Sequence, residues 1–160
     1  MQRLVNQVGD LVEIHRRCWI GRGGSTPLGT VRITGAELAS SGYLTSSQKT
    51  VALLPAGGIV TQAALFQNTA SAGPSDLTVS VGTVSGTATN LIAEFDLDAN
   101  TDKVKFNTGS AIDTEPGLVN ATASALPIFA KFGGTVGSVT AGDWLVCLTI
   151  LDPAALAANI

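Results

Sequence analysis

The sequence predicts an all-β fold, an antiparallel β-sandwich of jelly-roll type with an N-terminal arm, and three observations point to it. Between Lys49 and Leu151 short runs of Val, Ile, Leu and Phe recur, each bounded by Gly, Ser, Thr, Asn or Pro. Several of these runs alternate apolar and polar residues with a period of two, as a strand with one buried face requires. The runs follow one another at turn spacings of roughly 8 to 16 residues with no helical crossover between them, which favours an antiparallel sandwich or a jelly roll over a parallel sheet.

The first segment leaves two readings open. Leu4, Val8, Leu11 and His15 fall at helical spacing, yet Gly9-Asp10 lies in their midst and can turn a hairpin instead. Residues 21–27, rich in glycine and closed by Pro27, form a break. It separates an arm (residues 1–29) from a body (residues 30–152). In the body, Val31 and Ile33 alternate with Arg32 and Thr34 as a first strand, and residues 37–47 are turn-like. Residues 50–54 and 58–67 flank Pro55-Ala56-Gly57 as strand, tight connection, strand. Leu77, Val79 and Val81 against Thr78 and Ser80 give the cleanest alternation, with one core face and one that is wet or in contact with a partner. Residues 91–97 and 103–106 alternate on either side of a polar loop and predict a hairpin.

Residues 126–132 and 143–151 complete about eight strands. The last is apolar on both faces, with Trp144, Val146, Leu148 and Ile150 on one side and Leu145, Cys147 and Leu151 on the other. Such a strand belongs inside a sheet or at an interface. Asp152-Pro153 then supplies the cap and first-position proline of a short helix in a C-terminal tail, residues 153–160.

A chain of 160 residues suits one sandwich, long enough to remove roughly 70% of its unfolded surface from water without a disulfide or metal. Only 13% of its residues are charged, about half the usual share, so less of the surface is protected by charge and partners are expected to cover part of it. The charge is uneven. Residues 1–32 carry Arg3, Arg16, Arg17, Arg22 and Arg32 against Asp10 and Glu13, whereas the remainder sets four lysines against ten acids. A basic arm on an acidic body serves either nucleic acid or an acidic neighbouring subunit, and the scarcity of lysine favours the neighbour. Arg16 and Arg17 follow the apolar positions of the first segment, the reverse of a signal peptide, and the apolar block 51–66 is broken by Pro55, Gly57, Gly58, Thr61 and Gln62. The expectation is a protein made in a cytosol, with no membrane partner.

Chemistry is scarce. The single histidine, His15, stands outside the strand-rich region, which leaves that region without a general-base histidine. His15 and Cys18 would share the arm with Arg16, Arg17 and Trp19, but strand neighbours point to opposite faces, and arginine and tryptophan there read better as interface anchors. Cys18 and Cys147 belong to no Cys-x-x-Cys pair and read as buried thiols. The acidic stretch 96–102 spaces oxygens at alternate residues as a calcium loop does, yet Thr101 stands where the sharp turn needs glycine and Asn107 where a bidentate glutamate belongs. Asp113 and Glu115 precede Pro116-Gly117 and read as a solvated turn, and residues 21–24 resemble a phosphate loop in glycine content alone. Asn120-Ala121-Thr122 has the form of a glycosylation sequon without a secretion signal to give it meaning. No enzyme, metal or cofactor is expected.

The stretch 50–60 with its Leu-Leu-Pro-Ala-Gly-Gly core, the alternation that ends in Val81-Gly82-Thr83, and Ala141-Gly142-Asp143-Trp144-Leu145-Val146 resemble the small jelly-roll head decoration, or cement, proteins of tailed bacteriophages. The similarity covers roughly residues 46–152. It implies a structural virion protein on the outer surface of the capsid, commonly a homotrimer, which clamps the major capsid protein and has no cofactor. Arg3, Arg16, Arg17, Trp19 and Arg22 are then the expected contacts to capsid or subunit. The rival from another class is a β-sandwich binding module for carbohydrate or receptor, in a tail or fibre, which would need a platform of exposed aromatics. Trp19, Tyr43 and Trp144 are too scattered in sequence to suggest one.

Overall fold

The computed structural model describes residues 28–40, 43, 47–97, 104–106, 108–110 and 117–154. Among these residues the elements are β1 (Leu28–Thr34), α1 (Gly35–Leu38), β2 (Gln48–Leu54), β3 (Ile59–Ala72), β4 (Thr78–Gly82), β5 (Ile92–Asp96), β6 (Val104–Phe106), β7 (Leu118–Val119), β8 (Leu126–Gly133), a 3₁₀ turn (Val136–Ser138) and β9 (Ala141–Leu151). They form two antiparallel sheets, β1-β9-β3-β6 and β2-β8-β4-β5, with the two-residue β7 added to β3. Of the arm expected in residues 1–29, residues 1–27 lie outside the described residues, as does most of the C-terminal tail, while Leu28 and Gly29 already belong to β1.

The pairing is nested: β1 with β9, β2 with β8, β3 with β6 and β4 with β5. A long antiparallel ribbon folded over itself produces this order, and it is the jelly roll that the turn spacing predicted. Strand β9 lies inside its sheet, between β1 and β3, as its two apolar faces require. Trp144, Val146, Leu148 and Ile150 face the opposite sheet and are buried, together with Ile33, Val60, Ala63 and Leu65 of the same sheet. Across the core, Val51, Leu54, Val79, Val81, Ile92, Ile128, Ala130 and Phe132 close it from the second sheet. Phe132 sits at the centre, 5.2 Å from the Trp144 ring and 5.9 Å from that of Tyr43, each in a tilted or edge-on contact. Gly142 (φ +148°) permits this packing, since a Cβ there would lie 2.2 Å from the Trp144 ring.

Three expectations are corrected. Residues 91–97 and 103–106 do not form a hairpin, because β5 pairs with β4 and β6 pairs with β3 in the other sheet. The polar stretch between them is long enough to cross the roughly 10 Å between packed sheets, so nothing forces a tight return. Strand β3 continues past Gln67 to Ala72, where Asn68, Thr69 and Ser71 show no apolar alternation, because the edge of β9 is there to pair with it. The turn-like segment after β1 starts with the single helical turn α1, capped by the Thr34 hydroxyl, which accepts from Glu37 N–H at 3.3 Å. At the other end, Asp152 accepts from Ala154 N–H at 3.0 Å, as the predicted cap does.

Candidate functional site

The expected contacts Arg3, Arg16, Arg17, Trp19 and Arg22 lie outside the described residues, as do His15, Cys18 and the glycine stretch 21–24. So do Asp113, Glu115 and the centre of the acidic stretch, residues 98–102. Among the described residues no three His, Cys, Asp or Glu side chains gather as metal ligands do, and no helix is long and apolar enough to cross a membrane. Tyr43 and Trp144 are both buried in the core cluster, so neither contributes to an exposed aromatic platform. Burial pushes the Tyr43 hydroxyl well above its ordinary value, with the Glu37 charge adding to the effect, which leaves it a protonated core side chain. Cys147 is buried on β9, on the face opposite Trp144.

The polar clusters that do exist tie strands together. Asp143 on β9 accepts a bidentate grip from Arg32 on β1, Nε to Oδ1 at 2.7 Å and Nη2 to Oδ2 at 2.8 Å. Asn68 on β3 donates to the same carboxylate at 2.7 Å. Three neighbouring strands are thus joined through one side chain that is 7% exposed, while Arg32 stays largely in solvent. The hydrogen bonds from Arg32 and then Asn68 hold the Asp143 carboxyl below the usual range. A group depressed in the folded state contributes stability above its unfolded value, near 3.9, and that contribution is lost as pH falls through the lower folded value. Replacing Asp143 by Asn is therefore expected to cost stability at neutral pH and to flatten the fall of unfolding free energy below about pH 4. Denaturant titrations at a series of pH values read the effect; an unchanged acid limb contradicts it.

Asn120 is 1% exposed, and the candidate sequon is a structural knot. Its amide donates to the carbonyls of Leu54, Pro55 and Ser124 at 3.0, 2.9 and 2.9 Å, and its oxygen accepts from Thr122 N–H and from the Thr122 hydroxyl at 3.0 and 2.7 Å. The carboxamide fastens the β2–β3 turn to the β7–β8 loop and has no surface left for a glycan.

The remaining built feature among the described residues is the β4–β5 connection, residues 83–91, which joins two paired neighbours of one sheet. It folds back over the outer face of β2-β8-β4-β5. At its base Asn90 accepts from Thr83 N–H and donates to the Thr83 hydroxyl, both at 2.8 Å. Further along, Gln48 of β2 donates to Ser85 Oγ and accepts from Gly86 N–H, both at 3.1 Å. Lys131 of β8 donates to the Gly86 carbonyl, and Ser80 of β4 donates to that of Thr87 at 3.2 Å. Ser80, on the face that the sequence left as wet or partnered, is 1% exposed under this loop. Ala88 is buried as a plug and adopts φ +46°, a left-handed conformation that costs a non-glycine residue about 1–2 kcal/mol. Residues 84–87 are left exposed, with Val84 at 52%, one of three large exposed apolar side chains among the described residues, beside Leu53 and Val119. Sequence reasoning missed this loop. Its composition marks a turn, but its pins come from Gln48 and Lys131, distant in sequence and silent in any local pattern.

No protein-family profile and no curated protein sequence matches the chain. Solved structures do share its fold. A chain of the acidic stable capsid structure of Helicobacter pylori bacteriophage KHP30 superposes with a TM-score of 0.57 at 15% identity, over 82% of this chain and 91% of the other. A chain of the cyanophage Pam1 capsid asymmetric unit superposes with a TM-score of 0.54 at 21% identity, over 82% and 87%.

Proposed function

We propose that the protein is a structural component of a bacteriophage virion, a decoration or cement protein that binds the outer surface of the head and stabilises it. The observation that carries this reading is the jelly roll itself, shared over most of the chain with chains of two phage capsid structures. The described residues support it by what they spend their polar groups on: Asp143, Asn120 and Gln48 each tie strands or loops together. In this reading the body, residues 30–152, acts as a trimer on the major capsid protein. The arm, residues 1–29, reaches an acidic neighbouring subunit through Arg3, Arg16, Arg17, Trp19 and Arg22. Many modest contacts repeated around a shell sum to firm attachment, with no strong single site required.

The test is to add purified protein to heads that lack it, taken from the phage that encodes it. The protein is expected to sediment with the heads and to raise the temperature at which they release DNA. Failure to sediment with heads, or turnover of a substrate by the isolated protein, contradicts the reading.

A further inference from the structure

We infer that the end of the core beside Trp144 is a binding site for one ordered water molecule, held between the Trp144 indole N–H and the side chains of Gln67 and Ser71 on β3. The site stands whatever the protein's role in a virion.

Trp144 is wholly buried, and among the described residues its Nε1–H donates to no acceptor. Leaving a buried N–H unpaired is costly, and nearly all such groups in folded proteins bond either to protein or to ordered water. The ladder shows which polar groups lie on the indole's side of the sheet. Gln67 is the direct partner of Trp144 between β3 and β9. Opposed residues project from the same face with Cβ atoms about 5 Å apart, so Gln67 stands beside the indole. Asn68, the next residue, points the other way and bonds Asp143 on the outer face.

Ser71 completes the site. The indole leans over Gly142, where a Cβ would lie 2.2 Å from the ring. Gly142 falls between Ala141 and Asp143, whose partners on β3 are Ala72 and Thr69, so the ring reaches toward the stretch that holds Ser71. Gln67 Nε2 donates to Ser71 Oγ at 3.1 Å, which joins the two half-buried side chains into one polar pair. That bond turns the amide nitrogen to Ser71 and leaves Gln67 Oε1 as an acceptor.

The chemistry of the three groups selects the occupant. A cation would face the indole hydrogen and an anion would face Gln67 Oε1, whereas water accepts from the first and donates to the second. A further bond to Ser71 Oγ gives it three, the usual number for a buried water. Because Gln67 and Ser71 are only half-buried, the water exchanges with solvent at the rim of the core. The site also accounts for a polar residue at the last core-facing position of β3 opposite Trp144: leucine there would leave the indole N–H without a partner.

The test uses the full-length protein labelled with nitrogen-15, with Trp19→Phe to identify the Trp144 indole signal. Rotating-frame Overhauser spectra, in which the sign separates a bound water from hydrogen exchange, are expected to show a cross-peak between water and the Trp144 indole hydrogen. Gln67→Met, close in length but without the amide, is expected to abolish that cross-peak and to lower the thermal midpoint by about 3 °C. In a Trp144→Phe background the same change is expected to shift the midpoint by less than about 1 °C, since the donor that needs the water is gone. No water cross-peak in the wild type overturns the inference, and so does a cross-peak that survives Gln67→Met. An equal loss of midpoint in both backgrounds overturns it too, because Gln67 would then act without the indole.

Discussion

Phe132→Ala is expected to lower the free energy of unfolding by about 4 kcal/mol, the middle of the range for truncating a buried aromatic. Phe132 is wholly buried, and its ring packs against both Tyr43 and Trp144. It projects from β8 of one sheet onto Trp144 of β9 in the other, so its loss opens a void where the two sheets meet. The surrounding backbone is held in two ladders and can close over that void only in part, which is why the cost exceeds the transfer energy of the ring alone. Equilibrium urea unfolding measures it. A loss below about 1.5 kcal/mol would mean that the sheets can approach and refill the space.

The second large effect concerns Asn120. Replacement by alanine is expected to cost about 3 kcal/mol, because the carbonyls of Leu54, Pro55 and Ser124 lose their donor, that of Leu54 in a buried place. Aspartate separates the two halves of the knot. Its oxygens can still accept from Thr122, but it has no donor for the three carbonyls and brings a charge into their midst. Asn120→Asp should therefore be at least as damaging as Asn120→Ala at neutral pH and should recover as the carboxyl protonates. Hydrogen exchange localises the change: the amide protons of Gly57 and Thr122 lose protection first, while those of β3 and β9 near the core keep theirs. If Asn120→Asp is as stable as the wild type, the donor half of the knot is not what holds this end together.

The sandwich was legible wherever burial on one face imposed a period of two. Leu77, Val79 and Val81 are all fully buried as their alternation predicts, and β9, apolar on both faces, is an inner strand. The pairing of β5 and β6 was not legible, since alternation says which face of a strand is buried and nothing about which sheet it joins. The extension of β3 through Asn68 to Ala72 was hidden for a related reason: those residues are strand because β9 is beside them, not because of their own propensity. The surface devices were less accessible still. No local pattern gives Asp143 a partner, and only the fold brings Arg32 and Asn68, 111 and 75 residues away, onto its oxygens. Asn120 matched a modification motif, and only its burial shows that the carboxamide is already engaged. The absence of a histidine from the strand-rich region, by contrast, was plain from composition and needed no structure.

The most direct measurement of the central claim is an electron cryomicroscopy reconstruction of virions of the phage that encodes this chain. Jelly-roll density is expected on the outer face of the shell, in groups of three copies, resting on the major capsid protein. Density confined to the tail, to a fibre or to the interior of the head, or a head with no such density, would contradict it.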